Sequence, residues 1–151
     1  MVDKLRLDIE SPLAGWAMVR LTAPGVRLEF DASYTPWDSI GELAQAIAGL
    51  LAGLPEQVVA WNTEPVEYEF RFTTQGVQAR LEVYQYPDTR RRRRTEAPVA
   101  VVEGDTISIA RAIWRGLRRL QGAVSAEAFA AAWEHPFPAS TVERIGEQFR
   151  G

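Results

Sequence analysis

The chain has 151 residues, 46% of them hydrophobic, with no cysteine and a net charge of −3. That length suits one domain burying roughly 68–70% of the surface its unfolded form exposes, so a core can form without metal or disulfide. The lack of cysteine excludes disulfides, thiolate nucleophiles and Cys-ligated zinc.

In chain order, Lys4 to Glu10 places Leu5, Leu7 and Ile9 on one face and charged residues on the other, the period-2 signature of a half-buried strand. Ser11-Pro12 breaks it. Trp16 to Thr22 resumes the alternation, with Trp16, Met18 and Arg20 on one face and Ala17, Val19 and Leu21 on the other, and Ala23-Pro24-Gly25 is a turn signal. Val26, Leu28 and Phe30 alternate with Arg27, Glu29 and Asp31, completing a three-stranded meander. Thr35-Pro36-Trp37-Asp38 then opens a helix, with Thr35 as the cap, Pro36 in the first turn and Asp38 at the capping-box position. Its apolar stripe is Ile40, Leu43, Ile47, Leu50, Leu51 and Leu54, ended by Gly53 and Pro55.

A second set of strands follows at Gln57–Trp61, Val66–Thr74, Val77–Tyr84 and Pro98–Glu103, with a hairpin turn at Gln75-Gly76. In the second of these, Tyr68, Phe70 and Phe72 oppose Glu67, Glu69 and Arg71. The acids are expected on a solvated face, ion-paired across strands to the face that carries Arg80 and Glu82. Asp105-Thr106 begins a helix with Ile109, Ala110, Ile113, Trp114, Leu117 and Leu120 on its apolar face, ending at Gly122. Ser125 caps a third helix bearing Phe129 and Trp133. Ser140-Thr141-Val142-Glu143 reads as a capping box for a fourth. The fold class expected is α+β: one antiparallel sheet of about six to seven strands, three before the first helix and four after it, covered on one face by that helix and the C-terminal helices.

Between the last two strands stand five consecutive arginines, Arg90, Arg91, Arg92, Arg93 and Arg94. Without them the chain has 12 positive against 20 negative residues, a balance of −8. Five adjacent guanidinium groups resist burial, so residues 87–96 are expected to be a mobile, solvated loop able to contact phosphates or an acidic partner.

No phosphate-cradling glycine motif and no G-x-S-x-G elbow is present. His135 is the only histidine, so no metal site and no cofactor are expected. It stands in Glu134-His135-Pro136-Phe137-Pro138, where a helix end is the plain reading. Glu64, Glu67 and Glu69, with His135, are the one grouping for a carboxylate-dependent enzyme. A ligand-contacting site is sought instead in exposed loops carrying Tyr34, Trp61, Asn62, Glu64 and His135. The first residues alternate charge, and the longest nearly apolar stretch, Leu43 to Leu54, is too short to cross a bilayer. A cytoplasmic location without membrane association is therefore expected.

Four segments together resemble a family of small uncharacterised bacterial proteins. They are Ser33-Tyr34, then Trp61 with Glu64-Pro65 and Tyr68, then Ala110 to Arg115, and finally Trp133 to Pro138. The resemblance covers about residues 5–145 and implies one α+β unit of bacterial origin without assigning a function; the arginine run is not part of it. The function expected is a non-catalytic protein-binding module, of an immunity or regulatory type, with another protein as partner. The alternatives are a nucleic-acid-associated protein using Arg90–Arg94 and, more remotely, a carboxylate-dependent enzyme.

Overall fold

A computed structural model describes residues 5–88 and 95–150. The arginine run and most of the loop expected around it lie outside the described residues. Seven strands and four helices follow in the order β1 (Arg6–Ile9), β2 (Trp16–Ala23), β3 (Val26–Ser33), α1 (Ser39–Leu51), β4 (Glu56–Asn62), β5 (Glu67–Gln75), β6 (Gln78–Tyr86), β7 (Ala100–Asp105), α2 (Thr106–Ala123), α3 (Ala126–Trp133) and α4 (Ala139–Arg150). The strands form one antiparallel sheet in sequence order, and the fold is α+β as the alternation implies.

One face of the sheet builds the core. Leu7, Val19, Leu21, Phe70, Phe72, Leu81 and Val83 are fully buried against Ile40, Leu43, Ile47, Ile109, Ile113 and Leu117 of the helices. Helix α2 leaves the last strand and lies on the first. An added Cβ at Gly116 would stand 2.3 Å from the Leu7 carbonyl oxygen, so only glycine allows this approach. Three residues on, Arg119 donates to that same carbonyl at 2.8 Å and to Asp8 at 3.2 Å.

The sheet is weakest at its middle. Strands β3 and β4 share a single paired position, Ser33 with Asn62, because helix α1 intervenes between them. The backbone of β4 left unpaired there turns to α1: the Ser39 hydroxyl donates to the Ala60 carbonyl, and the Ala60 amide donates to Glu42 at 3.3 Å. Aromatic rings fill the wedge, with Phe30 stacked on Tyr68 at 4.5 Å and edge-on to Trp61 at 5.6 Å.

Several boundaries differ from the sequence expectation. Helix α1 opens at Ser39 with Asp38 as its N-cap, not at Thr35. The Asn62 amide holds the Thr35 carbonyl at 2.6 Å, which commits that residue to β4 before the helix begins. Leu54 falls beyond α1 and is 49% exposed. Helix α2 passes through Gly122 to Ala123. Helix α4 starts at Ala139, with the Pro138 carbonyl accepting from Val142 at 3.0 Å, so Ser140 and Thr141 lie inside the first turn and do not cap it.

The larger correction concerns the other face of the sheet. Glu67 and Glu69 are both fully buried. Trp37 donates its indole N–H to Glu67 at 2.8 Å. Arg71 donates to Glu69 through Nε at 3.1 Å and Nη2 at 2.9 Å, and the Tyr86 hydroxyl donates at 3.2 Å. The register sets Glu67 opposite Tyr86 and Glu69 opposite Tyr84. Glu69 therefore pairs with Arg71 along β5. Cross-strand ion pairs on this face join other partners, Arg71 with Glu56 of β4 at 2.7 Å and Arg80 with Glu103 of β7 at 3.3 Å, while Arg80 also pairs with Glu82 on its own strand. Alternation marks which residues share a face. It does not report that aromatic side chains from elsewhere cover it.

Two outcomes follow from this packing. Helix propensity alone would make Gly116→Ala a gain of about 1 kcal/mol. Contact with the β1 backbone reverses the sign, and urea unfolding should show a loss of about 1–3 kcal/mol. Asp105, the N-cap of α2, accepts from the Ser108 hydroxyl at 2.7 Å and the Ser108 amide at 2.9 Å, and these bonds, the hydroxyl's first, hold its carboxyl below the ordinary range. A depressed folded value makes the cap's contribution complete above about pH 4 and lost as pH falls through that folded value. Asp105→Ala should cost about 1 kcal/mol at neutral pH, and the gap to wild type should close on acidification.

Candidate functional site

Four connections meet at one end of the molecule. The β1–β2 connection closes in a tight turn, with Leu13 and Trp16 exchanging backbone bonds at 2.8 and 3.0 Å. Its central residues, Ala14 and Gly15, have φ of 51° and 86°, the left-handed pair of a type I′ turn. The Gly15 amide donates to Ala132 of α3 at 2.7 Å, and the Gly15 carbonyl accepts from the Tyr34 amide at 2.9 Å. The Tyr34 ring lies over Gly15 so closely that an added Cβ would stand 2.7 Å from it.

Tyr34 and His135, far apart in sequence, are thereby brought together. His135 Nε2 lies 3.2 Å from the Tyr34 carbonyl. A carbonyl only accepts, so Nε2 carries the hydrogen. The two ring centroids are 6.4 Å apart. His135 follows Glu134, the left-handed residue (φ 70°) that ends α3, which agrees with the helix-end reading of this segment. Trp133 anchors α3 from beneath, donating to the N-cap carboxylate Asp38 at 2.9 Å, and Phe129 meets Phe137 edge-on at 5.2 Å.

The β4–β5 connection completes the end. Asn62 is 3% exposed. Its amide nitrogen donates to Thr35, and its amide oxygen accepts from the Glu64 amide at 3.0 Å. Glu64 itself is exposed, with φ of 49°, and the peptide bonds Thr35–Pro36 and Glu64–Pro65 are both cis.

Of the five loop residues singled out from sequence, Tyr34, Glu64 and His135 present surface. Trp61 and Asn62 do not: both lie in β4 and are buried. Trp61 turns to the core among Phe30 and Phe70, where its indole N–H has no hydrogen-bond partner among the described residues. Asn62 is a bracket beneath the loops, not a contact surface. The residue that sequence reasoning missed is Leu13, 79% exposed at the turn tip. The signal for it was weak, an apolar residue directly after Ser11-Pro12. The sequence candidates Arg90–Arg94 lie outside the described residues. Among the described residues no cluster of three or more His, Asp or Glu side chains could hold a metal ion, and no helix is long and apolar enough to cross a membrane.

No protein-family model matches the chain, and no significant similarity to a curated protein or a solved structure was found.

Asn62→Ala would strip partners from the Thr35 carbonyl and the Glu64 amide at once. A loss of about 1–3 kcal/mol is expected, and NMR shifts of the Tyr34 and His135 rings should report loosening of this end.

Proposed function

We propose that the protein is a non-catalytic protein-binding module, of the immunity or regulatory kind, whose contact surface is centred on Leu13 and Tyr34 and edged by Glu64 and His135. One observation carries this reading. Leu13 is 79% exposed and Tyr34 is 37% exposed, yet both stand on backbone held by hydrogen bonds to α3 and to each other's loops. An apolar tip on pre-ordered backbone loses little conformational freedom when a partner covers it. Tyrosine supplies contact area together with a hydroxyl at little entropic cost, which is why it recurs at the centres of interfaces. Glu64 and His135 place polar groups around the apolar centre, as a rim does.

The nucleic-acid reading rests on the arginine run alone, and the negative balance of the remaining chain weighs against it. The protein-binding reading is preferred for that reason.

Affinity capture from the native host, run in parallel with wild type and a Leu13→Asp/Tyr34→Ser variant, tests the proposal. A polypeptide retained by the wild type and lost with the variant is expected. Retention by both, or by neither, would overturn this choice of surface. Tyr34 packs on Gly15 while Leu13 is 79% exposed, so the single variant Leu13→Asp, whose thermal unfolding should stay close to wild type, excludes misfolding as the cause when it too loses the polypeptide.

A further inference from the structure

Helix α2 carries four arginines and no acidic residue. Arg119 is engaged with β1. The other three, Arg111, Arg115 and Arg118, recur at helical spacing and so share one stripe. None of the three forms an ion pair among the described residues.

Two of these guanidinium groups are held in place by aromatic rings, with no carboxylate within ion-pair distance among the described residues, although Arg111 is near enough to Asp105 to favour its ionised form. The Arg111 guanidinium lies 5.0 Å from the Phe149 ring centroid, and that of Arg118 lies 5.8 Å from Trp114. The Phe149 and Trp114 rings meet at 5.2 Å. The Trp114 indole N–H donates to the Val142 carbonyl at 2.9 Å, and an added Cβ at Gly146 would stand 2.8 Å from its ring. The result is a ladder, Arg111–Phe149–Trp114–Arg118, that ties α2 to α4. A ring beneath a guanidinium orders it through the ring's negative face and takes none of its N–H donors. Arg115, exposed and free of any described contact, stands between them on the stripe.

We propose that the Arg111–Arg115–Arg118 stripe is a docking face for an acidic polypeptide segment. The three positions rise along the helix by roughly 6 Å and 4.5 Å, close to the spacing of carboxylates one turn apart on a partner helix or on alternate residues of a strand. Each guanidinium fork matches a carboxylate in two hydrogen bonds. Charge decides between the two polyanions that could bind here. Nucleic acid carries one negative charge per roughly 1.7 Å of duplex, and the acidic remainder of this chain opposes so dense a line of charge. A short acidic segment brings about as many carboxylates as there are guanidiniums to meet them. The face shares no residue with the Leu13–Tyr34 surface and stands without it.

The test uses the purified full chain and two fluorescein-labelled probes of equal charge, an oligo-glutamate peptide and an oligothymidylate, followed by anisotropy at low salt. The expected result is that the peptide binds more tightly than the oligonucleotide and weakens as salt rises. Arg115→Ser/Arg118→Ser should weaken it by about tenfold or more. Arg115 is exposed and makes no hydrogen bond, ion pair or ring contact among the described residues, so the single variant Arg115→Ser controls for misfolding and should itself weaken binding. A third variant replaces Arg90–Arg94 with Ser and should retain most of the peptide affinity. No peptide binding, tighter binding of the oligonucleotide, indifference to the α2 substitutions, or loss of peptide binding on replacing Arg90–Arg94 would each overturn the proposal.

Discussion

The Leu7 carbonyl oxygen is where the two ends of the sheet are joined. Helix α2 leaves the last strand, crosses the helical layer and sets Gly116 against the backbone of the first strand, 2.3 Å from where a Cβ would stand. Arg119 then closes on the same carbonyl and on Asp8. A meander whose neighbours all follow one another in sequence has nothing in its own hydrogen bonding to bring the first strand back to the last. Helix α2 supplies that link, and it buries the Leu7 face of β1 together with the Ile113 and Leu117 face of the helix. The order of the helical layer, with α1 and α4 packed beside α2, follows from where this crossing lies.

The break between β3 and β4 shapes the rest. A ladder reduced to one pair leaves backbone donors and acceptors that must be satisfied from elsewhere. Ser39 and Glu42 serve Ala60, and Asn62 serves Thr35 and Glu64. The loops on either side of the break are thus fastened by side chains instead of by strand pairing. Beside them, backbone bonds from Gly15 to Ala132 and from Tyr34 to Gly15, with His135 on the Tyr34 carbonyl, draw Tyr34, His135 and the Leu13 turn together although no regular element contains all three. The same region draws Trp37 across the outer face, where its indole meets Glu67.

Two surfaces result, and they differ in kind. At the loop end, apolar area is offered on ordered backbone, which favours a slow-leaving contact once water is displaced. Along α2, charge is offered on side chains ordered by aromatic rings, which favours encounter and orientation and is weakened by salt. A partner touching both would be steered by one and retained by the other.

By itself the sequence determined the elements and their order and, where apolar residues alternate with charged ones or recur at helical spacing, the side that turns to the core, because period-2 and helical spacing report how neighbouring side chains divide between two sides. Strands from Leu5 to Phe30 and from Tyr68 to Val102, and the apolar stripe of α2, were legible in that way. The start of α1 was not, since Thr35 is claimed by Asn62 of a strand that comes later. The burial of Glu67 and Glu69 was not, since Trp37, their neighbours on the sheet and the aromatic cover come from distant positions. Nor was the meeting of Tyr34 with His135, or the ladder from Arg111 to Arg118 through Phe149. Trp37 on Glu67, Tyr34 with His135 and Arg111 on Phe149 are contacts between residues whose separation along the chain carries no periodic signal, and only packing in three dimensions decides them.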